Sequence, residues 1–228
     1  MIISIHIPKN AGNSFYSALK DIYGNQLQTD YRDRIASEDY LKRKSESYPK
    51  IKPGTRVIHG HFQAKKYLEK YPTAEFITWF REPVERIASI YYFWKINPDW
   101  ANPTCVKMLE EKYSLMEFAR MPEIKDMQPY LIQPLKPEDF KFFGIVEHYS
   151  MSIDLFKNSM GIKKNITRYK HNVNPKRSIQ YKKISGKQRE EIEKIHAEGV
   201  DLYKRAKKLF FQRYLISKFP PLKWFFVR

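Results

Sequence analysis

The chain has 228 residues, 42% of them hydrophobic and 15% aromatic, which is long enough to bury a core and too apolar for a disordered chain. Its formal net charge is +17, and the excess is concentrated: residues 157–228 carry 20 Lys and Arg against 5 Asp and Glu, while residues 1–156 are nearly balanced at 22 against 20. The last third therefore suits an anionic partner (nucleotide, acidic polysaccharide, nucleic acid or anionic membrane) and equally reads as a solvated lysine-rich helix face.

Taken in chain order, residues 2–7 form a β-branched run that ends at Pro8, as a buried parallel strand would. Residues 8–13 read as a turn, with Ser14 capping a helix that runs to residue 23. Residues 24–54 are polar and promise helical fragments at best. Residues 56–61 make a second strand and 64–70 a helix. Residues 75–81 (Glu-Phe-Ile-Thr-Trp-Phe-Arg) are the clearest strand. Pro83 then stands where proline is favoured, in the first turn of a helix to residue 95. Helices interrupted by Pro122 and Pro129 are expected over 104–131, a strand over 142–147 and a helix over 151–160. Residues 163–185 read as a basic loop and 186–215 as one long charged helix.

Strands alternating with helices imply an α/β fold with a central, mostly parallel sheet and helices on both faces. We expect a single domain over 1–228, with 216–228 as a basic aromatic tail. That tail, together with Phe210 and Phe211, suits packing back on the domain, peripheral membrane contact or a partner surface. One cysteine, Cys105, excludes an intrachain disulfide, and no His/Cys cluster has zinc-finger spacing. No apolar run reaches bilayer length, and the N-terminal run is too short for a signal peptide, so a soluble, cytoplasmic protein is expected.

Sheets of this kind bind ligands at the C-terminal ends of their strands, which directs attention to three segments. The first is the turn after strand one. Its backbone N–H groups from Ala11 to Ser14 open a helix N-terminus that favours an anion, and Lys9 adds a full charge. It is not a Walker A loop, because Lys9 precedes a single Gly12; an ordinary turn with a capping serine fits as well. The second is Arg81, at a strand end where a guanidinium can grip a phosphate. An Arg81–Glu82 or Arg81–Glu85 pair is the structural alternative. The third is His59-Gly60-His61: residues two apart on a strand share a face, so both histidines can line one cleft, and a neutral imidazole is a suitable general base. No carboxylate or cysteine nearby completes a metal set, so no metal is expected. His6, His148, His171 and His196 read as structural or surface residues.

The segment His6-Ile7-Pro8-Lys9-Asn10-Ala11-Gly12-Asn13-Ser14-Phe15 resembles the 5′-phosphosulfate loop, HIPKTAGTS, of carbohydrate sulfotransferases that use 3′-phosphoadenosine 5′-phosphosulfate (PAPS). The nearest in pattern are the heparan sulfate and uronosyl 2-O-sulfotransferases. Asn10 and Asn13 replace the usual threonines. Residues 80–93, beginning Phe-Arg-Glu-Pro-Val-Glu-Arg, resemble the same family's 3′-phosphate motif, and 57–62 its HGH element. The resemblance spans most of 1–215 and is closest over 6–15 and 80–93. It implies a P-loop-like three-layer fold and transfer of a sulfuryl group from PAPS to a carbohydrate hydroxyl, with PAP as product; the basic charge of the chain favours an acidic sugar as acceptor. It further implies that Lys9, Asn10, Ala11, Gly12, Asn13 and Ser14 bind the 5′ end and Arg81 and Ser89 the 3′-phosphate. His61, with His59, supplies the base and Lys9 stabilises developing charge. A basic loop containing Lys176, Arg177 and Ser178 would close over the nucleotide. The competing readings are a divergent P-loop kinase and a non-enzymatic nucleic-acid-binding protein; the second lacks any RNP or zinc-finger signature, so no nucleic acid is expected.

Overall fold

The computed structural model describes residues 1–32, 48–167 and 184–219. At its centre is a parallel sheet of β1 (Ile2–Ile5), β2 (Leu27–Asp30), β3 (Val57–Gly60), β4 (Glu75–Phe80) and β5 (Phe142–Ile145), in the order β2-β3-β1-β4-β5. All four residues of β1, β3 and β5 are buried, as strands covered on both faces must be. This is the α/β, P-loop-like layered arrangement expected, and among the described strands the sheet is wholly rather than mostly parallel.

The chain leaves β1 toward β2 on one side and leaves β4 toward β5 on the other. The crevice where connections diverge lies between neighbouring β1 and β4, outside their C-terminal ends. Two loops face each other there: 6–11, which leads into α1 (Gly12–Tyr23), and 81–82, which leads into α3 (Pro83–Ile96). Between them in sequence, α2 (Ala64–Lys70) follows β3.

β2 was not legible in the sequence. Leu-Gln-Thr-Asp has no apolar run, and only Asp30 is buried, because an edge strand needs little burial to pair. Its end is fixed from within. Lys66 Nζ and the Tyr67 hydroxyl both donate to Asp30 Oδ2 at 2.8 Å, and a Cβ on Gly60 would lie 1.7 Å from the Asp30 carbonyl oxygen. Only glycine allows that approach.

Beyond α3 run α4 (Pro103–Glu110), α5 (Leu115–Ala119) and α6 (Met127–Ile132). Pro129 does not interrupt a helix. It occupies the first turn of α6, where a missing N–H costs nothing. After β5 and α7 (Tyr149–Ser159), the single helix expected over 186–215 is two, α8 (Gly186–Ile195) and α9 (Ala197–Lys218). The break is at His196, whose ring turns inward; Nδ1 accepts from the Asp126 N–H at 3.2 Å and Nε2 bonds the Ala119 carbonyl at 2.9 Å. Phe210 is buried in the core and Phe211 packs on His148 at 4.9 Å, so this stretch packs back on the domain. No helix among the described residues is long and apolar enough to cross a membrane.

Candidate active site

The loop after β1 is held in an unusual backbone shape. Lys9 and Ala11 both have positive φ, 66° and 60°, a region that non-glycine residues adopt at a cost of roughly 1 kcal/mol each. Such alternation curls the chain so that its N–H groups converge, as in anion-binding nests. α1 then starts at Gly12 with Ala11 at the N-cap, and no side chain caps it. The Ser14 cap expected from the sequence is therefore not formed. Ser14 is buried in the first helical turn, and Asn13 beside it is exposed.

Asn10 does not face this cradle with its side chain. Its amide is buried and donates to the Trp79 carbonyl at 2.6 Å and to Gln128 Oε1 at 2.8 Å, tying the loop to β4 and α6. Gln128 completes the tie: Oε1 accepts from the Arg81 N–H and Nε2 donates to the Arg81 carbonyl, both at 2.9 Å. One buried glutamine thus holds both loops of the crevice. Sequence reasoning missed it, because a glutamine within a short interrupted helix carries no signal until α6 is folded against the strand ends.

The acidic residues after Arg81 are engaged by α8. Glu82 caps α3, accepting from the N–H groups of Val84 and Glu85, and both carboxylates are taken by Arg189 of α8 at 3.3 and 2.9 Å. The buried Arg81 guanidinium donates from Nη1 to the Lys9 carbonyl at 2.9 Å. Beneath it Arg86, also buried, donates to the Ile124 carbonyl at 3.2 Å and contacts Met127 Sδ; burial, with Arg81 close by, lowers its pKa to about 10. The Lys9 ammonium rests 3.7 Å above the Phe93 ring, a cation–π contact. Phe93 lies four residues beyond the half-buried Ser89 on one face of α3. Burial, then the Arg81 charge, lowers the Lys9 pKa to about 8.

Beside this crevice the structure brings three histidines together. Ser4 and His59 are register partners, and Ser4 Oγ lies 2.8 Å from His59 Nδ1. Two residues further along each strand, on the same face, come His6 and His61. The His6 ring stacks on His59 at 5.2 Å and meets His61 at 4.4 Å, while Tyr31 packs edge-on against His61 at 4.7 Å. His59 and His61, the two histidines expected to line one cleft, both meet the ring of His6. His6, read as structural or surface, belongs to the same cluster; the period-two repeat Ser4–His6 on one strand and His59–His61 on another was its signal, once the two strands are known to pair. Nε2 of both His59 and His61 is buried with no hydrogen-bond partner among the described residues. Burial lowers their pKa values to about 3 and about 4, with the His61 charge adding to the effect on His59. All are neutral at neutral pH.

Among the described residues no group of three or more His, Cys, Asp and Glu side chains could hold a metal ion. Lys176, Arg177, Ser178 and His171 lie outside the described residues.

No protein-family model matches the chain, and no curated protein does. Among solved structures, the mouse sulfotransferase SULT7A1 complexed with PAP is similar over 90% of this chain and 88% of that one, at 14% identity and a TM-score of 0.46.

Proposed function

We propose that this protein is a sulfotransferase that takes PAPS as donor and a carbohydrate hydroxyl as acceptor. The observation that carries the reading is the meeting of the Lys9 loop and Arg81 in one crevice, joined by the 2.9 Å bond between them. A nucleotide with anionic groups at both its 5′ and 3′ positions needs two such cationic ends on one rim. The motif resemblance over 6–15 and 80–93 supports the same assignment.

The uncapped start of α1 and the strained loop before it fit a 5′-phosphosulfate. The backbone of Ala11, Gly12, Asn13 and Ser14 would bind it, with the Lys9 ammonium moving off Phe93 to join them. Asn10 would act by fixing the loop. Arg81 and Ser89 would hold the 3′-phosphate. PAPS supplies a sulfuryl group, whose bond to the bridging phosphate oxygen breaks as the acceptor oxygen bonds to sulfur, leaving PAP. His61 Nε2 takes the hydroxyl proton. It is neutral at neutral pH, as a base must be, and among the described residues no hydrogen-bond partner competes for Nε2. His59, fixed by Ser4, stacks on His6, which in turn meets His61. Lys9 stabilises charge on the departing oxygen, the type of preorganised donor that contributes most to catalysis. The cationic surplus of the last third favours an acidic glycan.

The test is transfer of radiolabelled sulfate from PAPS to a glycan panel, by wild type and His61→Ala. Loss of a general base costs about 10²–10⁴-fold in rate, with PAP affinity retained. Full activity in the variant would remove His61 from the mechanism, and no transfer to any glycan would remove the carbohydrate acceptor.

A further inference from the structure

His6 is placed by three contacts that its proposed neighbours do not require. Its N–H donates to the Gly60 carbonyl at 2.8 Å, extending the β1–β3 pairing, and this aims the side chain at the start of α1. The ring edge there is so close to Gly12 that a Cβ on that residue would lie 1.7 Å from Nε2. Gly12 is the first residue of α1, the heart of the anion cradle. Nδ1, on the other side, is 3.0 Å from the Tyr31 hydroxyl. Nε2 has no hydrogen-bond partner among the described residues, although His6 is buried, only 9% exposed.

The two nitrogens are not equivalent. Burial raises the Tyr31 pKa, so the phenol keeps its proton. A phenol donates far better than it accepts, and an imidazole nitrogen is a good acceptor. Tyr31 therefore donates to Nδ1, which leaves the ring proton on Nε2, at the cradle. Burial and the charges that His61, His59 and Lys9 would bring nearby keep the ring neutral.

Resting on the donor reading above, we infer that His6 is a donor-binding residue: a neutral Nε2–H, set by Tyr31, that hydrogen-bonds the 5′-phosphate end of the nucleotide. A neutral donor at this point adds a contact to the anion without adding charge against Lys9. Gly12 has a second role in this arrangement, since any side chain there would displace the imidazole.

Calorimetric titration of wild type, His6→Leu, His6→Gln and Tyr31→Phe with two nucleotides tests this. PAP carries both phosphates, and adenosine 3′-phosphate lacks the 5′ group. His6→Leu should weaken PAP by about 10- to 100-fold, the range of a hydrogen bond to a charged group, and leave adenosine 3′-phosphate unchanged. His6→Gln, which keeps an N–H donor, should recover most of the PAP affinity. Tyr31→Phe should weaken PAP by about 2- to 10-fold, since only the tautomer bias is lost. Equal losses for both nucleotides, or no loss in His6→Leu, would overturn the inference. Wild type that binds neither nucleotide would instead overturn the donor reading on which it rests.

Discussion

Arg81 and Lys9, 72 positions apart in the chain, are joined by a hydrogen bond from the guanidinium Nη1 to the Lys9 carbonyl at 2.9 Å. Because β1 and β4 are parallel neighbours, their C-terminal loops must emerge side by side, and the bond closes the rim between them. Glu82 and Glu85, the acidic residues that follow Arg81, both pair with Arg189 of α8.

Arg81→Ala should therefore do two things. It should weaken PAP by about 10- to 100-fold, as expected for losing charge-assisted bonds to a phosphate, and it should abolish the preference of wild type for PAP over AMP, which lacks the 3′-phosphate. Arg81→Lys should recover little, since an ammonium cannot replace the planar fork. Titration of each protein with PAP and AMP gives both answers.

Gln128→Leu should be costly to stability. It strips partners from the buried N–H and carbonyl of Arg81 and from the Asn10 amide, at about 1–3 kcal/mol for each unsatisfied group. A fall in Tm of at least about 5 °C is expected in a chain of this size. Gln128→Glu keeps the acceptor but not the donor to the Arg81 carbonyl, and should fall between.

The pH dependence of PAP binding should follow Lys9. Its pKa is lowered to about 8, so the ammonium is present below that pH and lost above it. Affinity should then decline as pH rises through 8. In Lys9→Arg the charge persists, and the decline over pH 7–9.5 should disappear. Binding isotherms across that range measure it.

Stability at acid pH should follow the histidines. In the folded protein His59 and His61 are held at about 3 and about 4, against an ordinary value near 6.5 in the unfolded chain. Their stabilising contribution is full above 6.5 and is lost as pH falls from there toward 4, where the unfolded chain binds the extra protons. The slope is up to about 1.4 kcal/mol per pH unit for each such group. Thermal melts of His59→Leu should show a shallower loss of Tm between pH 6.5 and 4.5 than wild type.

Much of the crevice was legible in the sequence because its parts are local. β1, β4 and the proline-started α3 follow from short runs of residues, and Lys9, Arg81 and the His59–His61 pair follow from their places at strand ends. What escaped depends on contacts between segments distant in the chain. β2 has no apolar pattern because it is an edge strand. Gln128 and His6 matter through partners 47 to 118 residues away for one and through a neighbouring strand for the other. The break at His196 has the same origin, since nothing in the helical pattern of 186–215 tells that its ring will satisfy Asp126 and Ala119.

We propose that this crevice holds a nucleotide phosphorylated at both its 3′ and 5′ positions. The most direct measurement is thermal unfolding with PAP compared with ATP and Mg²⁺. PAP at about 100 times its Kd should add about 2.7 kcal/mol, a rise in Tm of roughly 5–10 °C, while ATP with Mg²⁺ should leave the transition almost unmoved. Protection by ATP with Mg²⁺ and none by PAP would contradict the account.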